Sequence, residues 1–124
     1  MPIPLEDLCN DVISKSMRGL GLSDADVAAK AGVNVEAVAA AKSGSADDAV
    51  LLKIAPALQL DGPALVTMAH AAWAPLDVQL PGLAQFNTPD HDMTVNAYLV
   101  WDAESKNAVA FDTGADATPI IEFI

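Results

Sequence analysis

The sequence predicts an α+β chain: five N-terminal helices over residues 1–74, then a β segment over residues 75–124 with a strand hairpin and a short terminal helix. Three observations predict it. Through Ala72 the apolar residues recur at spacings of three and four, with capping residues opening the runs and glycine punctuating them. After Ala74-Pro75 the period changes to alternation, Leu76, Val78 and Leu80 standing against Asp77 and Gln79. The composition is 52% hydrophobic, which is not that of a disordered chain.

The first helix is predicted over Leu5–Arg18, with Leu5, Leu8, Cys9, Val12, Ile13 and Met17 on one stripe. Glu6 and Asp7 fall in its first turn and Lys15 and Arg18 in its last, each with the sign that the helix dipole favours. Leu22–Gly44 reads as two short helices around a tight turn at Ala31-Gly32-Val33-Asn34, a helix-turn-helix. Ser23 caps the first of them with Asp26 as its capping-box partner; Gly32 supplies a left-handed residue and Asn34 caps the second. Ser45 with Asp48 predicts another capping box, opening a helix over Ala46–Leu58 that Pro56 must kink or stop. Asp61 and Pro63 open a fifth helix running through Leu65, Val66, Ala69 and Trp73. Beyond the boundary come a Pro81-Gly82 turn, a strand over Leu83–Phe86, a polar loop over Asn87–Asp92, and strands over Thr94–Trp101 and Ala108–Asp112 about a turn. Thr113-Gly114 ends the last strand, and Ala115–Ile124 begins a helix.

Charge limits the partners. Seventeen acids against six bases give a net charge of -11. Nine acids and five bases lie in residues 1–75, eight acids and one base in residues 76–124. A protein that grips a phosphate backbone needs a basic face, and few residues are present to build one. No apolar run has the length of a membrane span and the start MPIPLEDL has no signal-peptide pattern, so the sequence predicts a cytoplasmic protein with no membrane partner. The single Cys9 lies on an apolar stripe and reads as packing. His91, beside Asp90 and Asp92, reads as a solvated loop, His70 as a partly buried helix residue near Trp73, and Trp73 and Trp101 as packing anchors.

From Leu5 to about Ala72 the chain resembles the lambda-repressor-like, XRE-type DNA-binding domain. The resemblance rests on Leu22-Ser23, Val27-Ala28, Ala31-Gly32-Val33, Val38, Gly44 and Leu51-Leu52-Lys53-Ile54-Ala55 at the family's spacing. It implies a five-helix bundle, with DNA-facing positions at Ser23, Asp24, Val35, Glu36, Ala39, Ala40 and Lys42. Valine and alanine cannot read base edges, and Asp24 and Glu36 would face phosphate and be repelled. DNA binding is therefore not expected, although the alternative, a dimeric XRE-type transcriptional regulator, stays open. The alanines 37, 39, 40 and 41 suit helix-to-helix contact.

The stretch from Thr94 to the end resembles the opening of the metallo-β-lactamase superfamily, in particular its glyoxalase-II-like hydrolases, on Asn96, Tyr98, Leu99, Asp112 and Gly114. The resemblance implies a zinc-dependent hydrolase whose metal ligands form an H-x-H-x-D-H run; this chain has no such run, so no catalytic, cofactor-binding or metal-ligating residue is expected in it. Asn96, Asp112 and Gly114 would lie beneath the metal site of an intact enzyme. For Asp112 the plainer alternative is an Asp-x-Gly turn. The sequence thus reads as the truncated, non-catalytic front region of such a hydrolase, its helical part acting in oligomerisation or regulation. Apolar strands with open edges over residues 94–124 predict a homo-oligomer.

Overall fold

In a computed structural model, which describes residues 5–76, 79–91 and 93–124, the chain is mixed α+β: six α-helices and one three-stranded antiparallel sheet. It divides into a helical unit, Asp7–Trp73, and a sheet unit, to which the described residues from Ala74 to Ile124 belong together with Leu5 and Glu6.

In the helical unit α1 spans Cys9–Leu20, α2 Asp24–Ala31, α3 Val35–Lys42, α4 Asp48–Ile54 and α5 Gly62–Ala69. The first helix starts later than its apolar stripe predicts. Leu8 is the cap residue, its N–H donating to the Asp11 carboxylate at 2.9 Å, while Asp7 forms an ion pair with Lys15 at 2.6 Å. The expected cap at Ser45 is also corrected. Asp47 accepts the Val50 N–H at 2.9 Å and opens α4, because the Ser45 hydroxyl is engaged by the Ala40 carbonyl and the Ser43 hydroxyl. Pro56 acts as expected: α4 ends at Ile54 and a 3-10 turn, Pro56–Leu58, follows. Asp61 caps α5, accepting the Ala64 N–H at 2.8 Å. That helix ends at Ala69, short of Trp73, because Ala71 takes a left-handed φ of 49°. Trp73 is 59% exposed, which overturns its reading as a packing anchor.

One apolar core holds the helices together. Ile13, Val27, Val38 and Ile54 are wholly buried, with Leu51, Leu58 and Leu65 around them and Leu22, Ala31 and Val33 packed against the cluster. α2 and α3 are eight residues each, too short to persist alone, so their geometry depends on this burial.

In the sheet unit β1 spans Leu83–Asp90, β2 Met93–Trp101 and β3 Ala108–Phe111, in the order β1-β2-β3. The polar loop expected over Asn87–Asp92 is instead strand as far as Asp90, which pairs with Met93 around a tight turn at His91 with φ 55°. Pro89 is tolerated because β1 is an edge strand. Leu76, Gln79 and Leu80 form no strand, and Asp77, Val78 and Asp92 lie outside the described residues. The terminal helix α6 covers Thr118–Phe123, shorter than the expected run from Ala115. Its Ile120 packs on Ala97 and Leu99, and the Phe123 ring lies 5.6 Å from Phe86, edge-on, and 5.4 Å from Trp101. The opposite face carries Tyr98, Val100, Val109 and Phe111, all exposed. No helix among the described residues is long and apolar enough to cross a membrane.

Truncating the wholly buried Ile54 to Ala should destabilise the helical unit by about 2–5 kcal/mol, read as a lowered urea midpoint, whereas Leu52→Ala, at a 47% exposed neighbour, should change it far less.

Candidate functional site

The α2–turn–α3 segment is built as its residues dictate. The Ser23 hydroxyl accepts the Asp26 N–H at 3.2 Å and donates to the Asp26 carboxylate at 2.5 Å; that carboxylate also accepts the Ser23 N–H at 2.8 Å. These bonds, the Ser23 hydroxyl above all, hold the Asp26 carboxyl below its ordinary range. Gly32 closes α2 at φ 66°, and the Asn34 side chain accepts the Ala37 N–H at 2.8 Å to open α3. Gly32 is needed here because left-handed backbone costs a side-chain-bearing residue energy.

On this scaffold the candidate DNA-facing residues form an ion pair and a smooth patch. Lys42 Nζ lies 2.8 Å from Asp24 Oδ1, both side chains partly exposed. Val35, Glu36 and Ala39 are exposed and Ala40 is half-buried. The N-terminus of α2, where a helix dipole would favour an anion, already carries Asp24 and Asp26. The Ser23 hydroxyl is committed to Asp26. A phosphate approaching this end would meet two carboxylates, and a base edge approaching α3 would meet methyl groups. The Asp24–Lys42 pair, eighteen positions apart, was not legible in the sequence because only the packing of α3 on α2 brings its members together.

In the sheet unit Asn96 lies opposite Asn87, whose amide donates to Asn96 Oδ1 at 2.9 Å; the Asn96 N–H donates to Glu6 Oε1. Asp112 follows β3 with φ 63°, and its Oδ1 accepts the N–H groups of Thr113, 2.6 Å, and Gly114, 3.0 Å. That is the Asp-x-Gly turn. Gly114, at φ 67°, approaches Thr88 so closely that a Cβ there would overlap the threonine Oγ1. Thr88 is buried, and its hydroxyl accepts the Ala115 N–H at 2.8 Å. No hydrogen bond joins Asn96 to Asp112 among the described residues. Thr88 was missed by sequence reasoning, since nothing local distinguishes a threonine that meets the chain 27 residues later.

His70 is not partly buried beside Trp73 as expected: it terminates α5, its side chain is 60% exposed, and its Nε2 lies 2.8 Å from Asp48 Oδ1. Its position in the open follows from the early end of the helix. His91 Nδ1 lies 2.7 Å from Asp90 Oδ1 at the exposed hairpin tip. Among the described residues no group of three or more His, Cys, Asp or Glu converges as metal ligands do. Cys9 is buried, its Sγ donating to the Leu65 carbonyl at 3.7 Å, and burial pushes the thiol pKa up. It borders a cleft of about 390 Å³ that also meets Asn10, Ser43, Leu51 and Met68 and carries no charged side chain.

Asp26 is depressed in the folded state, so its contribution to stability is present above the ordinary Asp pKa of about 3.9 and is lost as pH falls through its lower folded value. Carboxyl NMR should place Asp26 below ordinary Asp, and Asp26→Asn should flatten part of the acid limb of the unfolding profile. Gly114→Ala should destabilise the sheet unit, through both its φ and the clash with Thr88, with near-ultraviolet dichroism of Trp101 as the readout.

Comparison with protein-family models, with curated proteins and with solved structures finds no match to this chain.

Proposed function

We propose that this chain is the non-catalytic N-terminal region of a zinc-dependent hydrolase of metallo-β-lactamase fold. Its helical unit is a lambda-repressor-like bundle turned from DNA binding to oligomerisation or regulation, and copies self-associate through residues 94–124. The observation that carries the reading is the ion pair between Lys42 and Asp24: the one cation among the seven candidate DNA-facing residues is neutralised within the fold. What surrounds it is acidic or aliphatic. A protein that holds DNA gains most of its non-specific affinity by replacing counterions with its own cations, and here none of those seven positions has an uncommitted cation to do so.

The hydrolase half of the reading is supported by element order: a strand carrying Asn96, Tyr98 and Leu99, a turn, a strand followed by Asp112-Thr113-Gly114, then a helix. The chemistry of that class needs imidazole and carboxylate ligands around an open coordination position, which the residues here do not supply. In that reading zinc would be held by ligands outside this segment and would supply the activated water; Asn96, Asp112 and Gly114 keep the supporting role that the resemblance implies. The second reading, an XRE-type regulator binding DNA as a dimer, is favoured by one observation: both caps and the left-handed turn of α2–α3 are intact.

A fluorescence titration with labelled duplex at low salt separates the two. The first reading expects nothing tighter than non-specific micromolar binding; salt-sensitive, sequence-selective binding favours the second. The hydrolase half is tested apart, by reading the coding sequence past the codon for Ile124: an H-x-H-x-D-H run within a few tens of residues is expected, and an unrelated continuation or an immediate stop counts against it.

A further inference from the structure

We propose that two copies of this chain join by antiparallel pairing of β3 with β3, centred on Val109, into one continuous six-stranded sheet. This rests on the self-association put forward above and names its surface, register and ion pairs.

The edge is open. Among the described residues no strand pairs with β3 on the side away from β2, and all four of its residues are exposed. It has none of the devices that protect edge strands: Ala108–Phe111 contains no proline, no charge and no bulge.

The direction of its hydrogen-bonding groups follows from the ladder. The Asp102 N–H donates to the Asn107 carbonyl at 2.9 Å, whereas the Trp101 N–H donates across to Gly82 at 2.9 Å. Backbone groups alternate sides along a strand, so Val100 faces β3 and its partner Val109 faces back. The N–H and C=O groups of Ala108 and Ala110 therefore point outward. A second β3 laid antiparallel with Val109 opposite Val109 puts Ala108 opposite Ala110 of the other copy, and Ala110 opposite its Ala108. Both pairs then exchange hydrogen bonds, and one two-fold axis relates them, as an isologous dimer requires.

Charge selects a second copy as the occupant. In that register Lys106 and Asp112 of the other copy, the two residues of left-handed φ (61° and 63°) that flank β3, are brought to the same end of the paired strands, at both ends. Lys106 is the one base of residues 76–124 and has no ion-pair partner among the described residues. Asp112 uses Oδ1 within its turn and leaves Oδ2 for a partner. An acidic segment that would otherwise repel its copy thus carries its single cation where a two-fold axis brings it to the same end as a carboxylate. On the face away from α6, pairing also brings Val109, 58% exposed, against its symmetry mate.

The test uses the full chain. Facing residues of a non-hydrogen-bonded pair have Cα atoms about 4.5 Å apart, within the disulfide range of about 4.4–6.8 Å. Val109→Cys should therefore form an interchain disulfide under mild oxidation, while Val100→Cys, exposed on the same face but one strand inward, and the wild-type chain, whose Cys9 is buried, should not. By analytical ultracentrifugation Lys106→Glu should weaken the dimer on the order of tenfold, and Asp112→Asn, which keeps the turn acceptor, should weaken it less. A wild-type chain that stays monomeric at high concentration would overturn both this pairing and the self-association it rests on. A dimer that is unmoved by Lys106→Glu and in which Val109→Cys fails to cross-link would overturn the pairing alone.

Discussion

The contact between Lys42 and Asp24 is the one on which the proposed reading of the α2–α3 surface rests. A lysine near the end of α3 would otherwise be a mobile cation on an exposed surface, available to any polyanion. Held at 2.8 Å by a carboxylate at the start of α2, it is neutralised locally, and the same contact ties together the two helices on either side of the turn. As a partly exposed pair it adds little to stability. Its consequence is electrostatic: it leaves the N-terminus of α2 occupied by acids and the outer face of α3 to Val35, Glu36 and alanines. The proposed loss of DNA binding follows from that arrangement more than from the total charge, because an acidic protein can still carry a basic patch.

The sheet unit is governed by close approach. Thr88, buried in β1, holds the chain after Gly114 through the Ala115 N–H, and only a residue without a side chain can sit that near its hydroxyl. That contact aims the chain from the end of β3 back across the sheet, so that Ile120 and Phe123 of α6 cover Ala97, Leu99, Phe86 and Trp101 on one face. The other face and the β3 edge stay open. One-sided coverage is thus built into the turn at Asp112-Thr113-Gly114, and the proposed pairing of two copies uses the edge that this turn leaves bare.

Local chemistry made much of the helical unit legible in the sequence. Ser23 with Asp26, Gly32, Asn34, Pro56 and Asp61 each act within a few residues of themselves, and each does in the structure what its type implies. Misreadings came where two local signals competed or where pairing partners were distant. Asp47 displaced Ser45 as a cap because Ser45 found partners across the preceding turn. Residues 87–90 look like a loop because they are polar and include a proline, yet pairing with Met93–Asn96 draws them into the sheet. Of the candidate site, the lack of base-reading side chains was visible residue by residue. The ion pair that neutralises Lys42 and the seat of Gly114 on Thr88 were not, since each joins residues that only tertiary packing brings together.

The α2–α3 face is proposed to have no chemistry left for a nucleic acid. Amide chemical-shift mapping of the full chain against increasing duplex DNA at low salt addresses this residue by residue. No localised shifts are expected over residues 23–43 at protein and duplex concentrations of roughly tens of micromolar. Saturable shifts clustered on Val35–Lys42 that fade as salt is raised would contradict the proposal.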